Sequence, residues 1–181
     1  SQTALSQQTT DTVLMVRPAA FGFNEETAVN NAFQKAGEED NIPDLAKKES
    51  DDYVKLLEDN GVNVIVVEDT AEPHTPDSVF PNNWFSTHDD GTLVLYPMFA
   101  ENRRLERKPA ALEAIEANFD VKKTVDLTHY EEEGVFLEGT GSMVLDRVNK
   151  IAYACESPRT NKTVLDDFCR QLGYQAVLFK A

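Results

Sequence analysis

One pattern of secondary-structure signals occurs twice in this chain, and a third, altered copy precedes it. Residues 77–88 read as extended, Asp89-Asp90-Gly91 as a turn and 92–98 (TLVLYPM) as a returning strand. A helical stretch at 103–118 and a closing strand at 121–127 complete the copy. The order then recurs. Residues 135–146 read as extended, Asn149-Lys150 as a turn and 151–155 as a strand. A helix at 161–172 stops at Gly173, and 174–179 closes as a strand. In the first copy a strand at 13–16 is followed by helical stretches at 25–35 and 50–59, the second opened by Ser50 and stopped by Asn60-Gly61, and by a closing strand at 62–67 (VNVIVV). The repeat is β-β-α-β with a period of about 55 residues, and a fixed period of that kind marks stacked units that share a core. The expectation is an α/β fold of three repeats, at 13–70, 77–128 and 135–181, forming a single domain behind a polar tail at 1–12. An ordinary α/β sandwich of the same elements stays open at this point.

Composition narrows the partners. The 181 residues are 41% hydrophobic and 27% charged, which suits a packed core and argues against disorder. The net charge of −15 repels a phosphate backbone, so nucleic acid is not an expected partner. Cys155 and Cys169 form neither a CxxC pair nor a cysteine–histidine ligand pattern, so no structural zinc, other metal or disulfide framework is expected, and a reducing cytoplasm is the expected setting. No apolar run is long enough to cross a membrane, and the first residues lack the apolar centre of a signal peptide.

Three clusters could carry chemistry. The first is PDSVFPNNW at 76–84, where Asp77, Phe80, Asn82, Asn83 and Trp84 crowd together. Asparagine amides both donate and accept, so Asn82 and Asn83 beside Asp77 suit a flat, urea-like group. A polar turn closed by an Asx hydrogen bond explains the same residues equally well. The second is GVFLEGTGS at 134–142, in which Glu138 ends an apolar segment just before two glycines. A carboxylate there could orient a histidine; a solvent-facing acid on a bulge is the plainer alternative. The third is arginine. Arg103, Arg104 and Arg107 open the second repeat's helix, and Arg159 stands at a strand-to-helix corner in SPRTN. Arginine grips carboxylates with paired hydrogen bonds, although a solvated helix face is the usual fate of the first group. His74, His88 and His129 all lie in or beside loops and read as surface or supporting residues, and the two cysteines read as small buried hydrophobes.

Taken together, RPAAFGFN at 17–24, PDSVFPNNW at 76–84, LEGTGSMVLDR at 137–147 and ESPRTN at 156–161 resemble the guanidino-group-modifying (pentein) superfamily, and its amidinotransferase or citrulline-utilisation hydrolase branch most of all. The resemblance covers nearly all of the chain after residue 12. It implies a five-bladed α/β propeller of β-β-α-β units, with about three units in this chain. It also implies a cysteine-dependent hydrolase or amidinotransferase without metal or organic cofactor. Asp77 matches the acid that opens the family's pocket-lining segment, which includes Phe80. Asn82 and Asn83 stand where the dimethylarginine hydrolases have a glutamate–aspartate pair that grips the guanidinium. Glu138 matches the glutamate that orients the catalytic histidine. Arg103 or Arg104, and Arg159, match residues that bind the substrate's α-carboxylate.

Two departures shape the expectation. Neutral amides at 82 and 83 do not balance a guanidinium charge but can donate to a ureido oxygen, which favours citrulline over arginine. The family's histidine lies after the third unit and its nucleophilic cysteine near the C-terminus, and no residue here matches either. The resemblance implies that in a complete enzyme a thiolate attacks the ureido carbon and the histidine protonates the departing ammonia. Water then hydrolyses the thiocarbamoyl intermediate. The expected partners are an amino-acid substrate and either a second copy or a complementing chain that supplies the remaining units. Taken alone, the 181 residues are expected to be catalytically inactive, and a citrulline-binding module or one half of a split enzyme are the alternatives.

Overall fold

The computed structural model describes residues 7–19 and 42–181. The expected helix at 25–35, most of the 17–24 motif and the start of the polar tail lie outside the described residues. Two compact units emerge: one of two strands, holding residues 11–81 and 100–118, and one of six strands, holding 82–99 and 119–181 with the start of the chain.

In the two-strand unit, β1 (Thr12–Arg17) pairs in parallel with β2 (Asn63–Glu68). A parallel pair needs a long crossover, and α1 (Ile42–Asp59) lies within it. The expected start at Ser50 is wrong by more than two turns. Pro43 in the first turn presets φ, and Asp44 complements the positive end of the helix. Ser50 then falls in the helix interior, flanked by the Lys48–Asp52 and Lys55–Asp59 pairs at i, i+4. Arg17 at the end of β1 grips both carboxylate oxygens of Asp51, at 2.8 and 3.1 Å, and so fixes the helix to the strand. The stretch at 103–118, expected as one helix, is two: α2 (Glu101–Arg104) and α3 (Pro109–Asn118). Pro109 causes the break, because proline disfavours a helical residue before it and has no N–H to continue the ladder.

The six-strand unit contains two three-stranded sheets of identical pattern. β3 (Phe85–Thr87) runs antiparallel to β4 (Thr92–Leu95), which runs parallel to β5 (Lys123–Asp126). The second sheet comprises β6 (Met143–Asp146), β7 (Ile151–Cys155) and β8 (Gln175–Phe179), again antiparallel and then parallel. Both expected hairpins and both closing strands are present. The tight β3–β4 turn needs Gly91, at φ +86°, where a Cβ would press on the backbone oxygen of Asp120. Between β7 and β8 lies α5 (Lys162–Leu172). Asn161 caps it by accepting from the Thr163 N–H at 2.9 Å, and Gly173 ends it in the left-handed conformation. Val164, Leu165 and Phe168 of α5 join Val94, Tyr96, Val125, Leu127, Leu145 and Ala152 in one buried cluster.

The segments 77–88 and 135–146, expected to be extended throughout, are not. A 3₁₀ turn (Pro81–Asn83) precedes β3, and a single helical turn, α4 (Gly139–Ser142), precedes β6. Both interruptions fall on the motifs singled out for chemistry.

Candidate functional site

Within the six-strand unit the two turns meet. The Asn82 amide donates to Thr140 Oγ1 at 2.6 Å, and that hydroxyl donates back to the Asn82 carbonyl at 3.2 Å. Gly139 lies so close that a Cβ would come within 2.5 Å of the Asn82 carbonyl oxygen, and its φ is +45°. A Cβ on Gly141 would come within 2.9 Å of the Asn83 amide nitrogen. Gly139 is therefore required by close backbone approach and by its φ, whereas the neighbour of Gly141 is the Asn83 side chain. Asn82 is exposed and Asn83 half-buried, so both amides stand at a surface formed by two loops.

Glu138 sits directly before this turn and is only 3% exposed. Its Oε2 accepts the Phe99 N–H at 2.9 Å, while the neighbouring Leu137 N–H donates to the Pro97 carbonyl. The carboxylate is thus held by backbone. Arg159 joins the same neighbourhood through its main chain. Ser142 Oγ donates to the Arg159 carbonyl at 2.9 Å, the Ser157 hydroxyl accepts the Arg159 N–H, and Leu137 bridges to Thr160. The Asn161 N–H donates to the Phe136 carbonyl. So Asn82, Asn83, Glu138 and Arg159, separated by as much as 77 positions in sequence, are brought together by loops of one unit.

The two-strand unit holds the other candidates. Asp77 is buried and Phe80 exposed. Arg103 is 5% exposed, and its guanidinium meets both carboxylate oxygens of Glu106, at 2.9 and 3.1 Å, and the carbonyls of Asp77 and Phe80. Burial pushes the Glu106 carboxyl up to about 6 although Arg103 opposes the shift. Arg104 is half-buried. Lys108 repeats the device one turn on: its ammonium meets Asp69 at 2.8 Å and the carbonyls of Thr70 and Pro73 at 3.0 Å. Two buried cations from one short segment therefore hold the whole 69–80 loop. Sequence reasoning missed Glu106, Lys108, Thr140 and Ser142. The i, i+3 spacing of Arg103 and Glu106 was a legible signal; the others act through contacts that no local pattern announces.

The remaining titratable groups give no nucleophile pair among the described residues. His88 Nε2 lies 2.9 Å from Ser86 Oγ, and burial pushes its imidazole down to about 4, so it is neutral at pH 7. Burial pushes the Cys169 thiol up to about 11, which suppresses its thiolate. His129 is exposed on the turn after β5. No cluster of histidine, cysteine and acid side chains suited to a metal ion occurs among the described residues. No described helix is long and apolar enough to cross a membrane.

Comparison with known proteins bears on the family and the fold. The family described as N,N-dimethylarginine dimethylhydrolase, eukaryotic, matches residues 17–181. No curated protein matches the chain by sequence. Among solved structures, an adduct of dimethylarginine dimethylaminohydrolase with S-methyl-L-thiocitrulline superposes with a TM-score of 0.66 at 16% identity, over 94% of this chain and 61% of the other. The product-bound N-terminal domain of ArgZ, an arginine dihydrolase from the ornithine–ammonia cycle in cyanobacteria, gives 0.68 at 17% identity over 93% and 57%. AgrE in complex with ornithine and NAD+ gives 0.69 at 20% identity over 94% and 24%. The chain thus spans about three fifths of the hydrolase and of the ArgZ domain. Its mixed α/β fold is that of these enzymes, and the chain belongs to the dimethylarginine dimethylhydrolase family within the guanidino-modifying pentein superfamily.

Proposed function

We propose that this chain is part of a cysteine-dependent hydrolase or amidinotransferase that acts on the ureido or guanidino group of an amino acid, with citrulline favoured over arginine. The observation that carries the reading is the neutral Asn82–Asn83 pair, with Asn82 held by Thr140 and Asn83 packed close to Gly141 in the turn that follows Glu138. An amide N–H donates well to a ureido oxygen, but without a carboxylate it cannot balance a guanidinium. Stripping water from a guanidinium with no carboxylate to receive it costs more than stripping it from a neutral ureido group. That difference is enough to set a preference of about tenfold between two ligands of one shape.

In the six-strand unit, the Asn82 and Asn83 amides would read the ureido group and Arg159 the α-carboxylate. Glu138, fixed by the Phe99 N–H, would orient the imidazole that protonates the departing ammonia. In the two-strand unit, Asp77, Phe80 and Arg104 are the proposed substrate contacts. Arg103 is already engaged by Glu106 and two carbonyls, so we assign it the task of holding the Asp77–Phe80 segment. No cofactor is proposed. The propeller of five repeats, and a further copy or complementing chain that completes it, belong to the same proposal.

A charge exchange at the amide pair tests the reading. The double variant Asn82→Glu/Asn83→Asp should shift binding from citrulline towards arginine by tenfold or more. Unchanged preference in a folded double variant would remove these residues from ligand discrimination.

A further inference from the structure

Ser142 is the one residue of the 139–142 turn whose side chain faces two ways. Its Oγ accepts the Glu138 N–H at 2.8 Å and donates to the Arg159 carbonyl at 2.9 Å. A hydroxyl has one proton to give and lone pairs to receive, so both bonds form at once. The turn that presents it is itself closed by Gly141 N–H to the Glu138 carbonyl at 2.7 Å and by Met143 N–H to the Gly139 carbonyl. Glu138 is buried, so its N–H has little access to water should the hydroxyl be lost. The Arg159 corner is also tied to the Glu138 segment by the Leu137–Thr160 bridge and the Asn161–Phe136 bond, both beyond Arg159 in sequence.

From this geometry we infer that Ser142 is a positioning residue. One hydroxyl couples the backbone of the residue that orients the catalytic imidazole to the backbone of the residue that takes the substrate's carboxylate. The inference deepens the proposed function and rests on it for the roles of Glu138 and Arg159. The clasp itself rests only on the hydrogen bonds above. Thr140, two residues earlier, performs the separate task of holding Asn82. The EGTGS turn thus serves three site residues by two hydroxyls, one for the ureido side and one for the carboxylate side.

The experiment has two arms, both on the 181-residue chain. The first follows amide hydrogen exchange in wild type, Ser142→Ala, Ser142→Cys and Ser142→Thr. In Ser142→Ala the Glu138 amide and the amides of 159–161 should exchange about tenfold faster or more, while β7 and the interior of α5 keep wild-type protection. Threonine keeps the hydroxyl and should restore protection. Cysteine is nearly isosteric with a weak donor, so it should loosen the same amides in a chain that still folds. Wild-type exchange at 159–161 in both Ser142→Ala and Ser142→Cys would overturn the inference, as would loosening spread evenly over the unit. The second arm compares citrulline with the same ureido amine lacking its carboxylate. Ser142→Ala should weaken citrulline by about tenfold and leave the carboxylate-free ligand unchanged; equal loss for both would overturn the positioning role. Should wild type bind neither ligand, the proposed function fails, and the exchange arm still decides the clasp.

Discussion

Gly139 and Gly134 both have positive φ, yet they predict different outcomes. A methyl at Gly139 would meet the Asn82 carbonyl oxygen at 2.5 Å, whereas at Gly134 it would meet nothing within 4 Å. Gly134→Ala carries only the left-handed backbone penalty, about 1–2 kcal/mol. Gly139→Ala adds a backbone clash that no side chain can relieve, so its destabilisation should exceed that of Gly134→Ala by about 2 kcal/mol. Urea unfolding of the two variants measures the difference directly, and equal losses would mean that the 82–83 and 139–141 turns do not pack as described. At the same scale, Arg159→Ala should weaken citrulline binding by at least about tenfold, the worth of a charge-assisted pair, while thermal stability changes little because the side chain is half-buried at a corner.

The elements show what the sequence made legible. Hairpins, closing strands and the end of α5 were readable because their causes are local: Gly91 at the turn and Gly173 after the helix. Two misreadings share a different cause. Residues 77–88 and 135–146 have strand-like composition, yet each contains a turn that exists because it packs against the other, and a contact between positions 82 and 140 leaves no local trace. The α1 start was missed because Ser50 resembles a cap, whereas Pro43 and Asp44 open the helix. The candidate site was legible as residue identities more than as supports: the i, i+3 spacing of Arg103 and Glu106 could have shown the pair, but not its burial. Lys108 makes the element-scale prediction. Its partner Asp69 is 3% exposed in the side chain, and removing one member of a buried pair costs about 3–5 kcal/mol. Lys108→Ala should destabilise by that order and speed hydrogen exchange through 69–73. Lys48→Ala, which breaks an exposed pair on α1, should fall within about 0.5 kcal/mol of wild type.

For the molecule as a whole, acid is the informative variable. His88 is neutral in the folded chain because burial pushes its pKa down from 6.5 to about 4. The unfolded chain therefore binds a proton that the folded chain refuses. Stability contributed by His88 is full above pH 6.5 and is lost as pH falls towards 4, by up to about 3 kcal/mol. Trp84, the single tryptophan and 1% exposed, lies in the same unit and reports its unfolding. The urea midpoint followed by Trp84 fluorescence should drop between pH 6.5 and 4, and His88→Gln should flatten that slope. For ligand recognition, the central claim is the proposed one, that the neutral Asn82 and Asn83 amides of the six-strand unit favour a ureido group over a guanidinium. The most direct measurement is a calorimetric titration of the wild-type chain with citrulline and with arginine in one buffer. Citrulline should bind saturably and at least about tenfold more tightly than arginine. Arginine binding as tightly as citrulline, or more tightly, would contradict it.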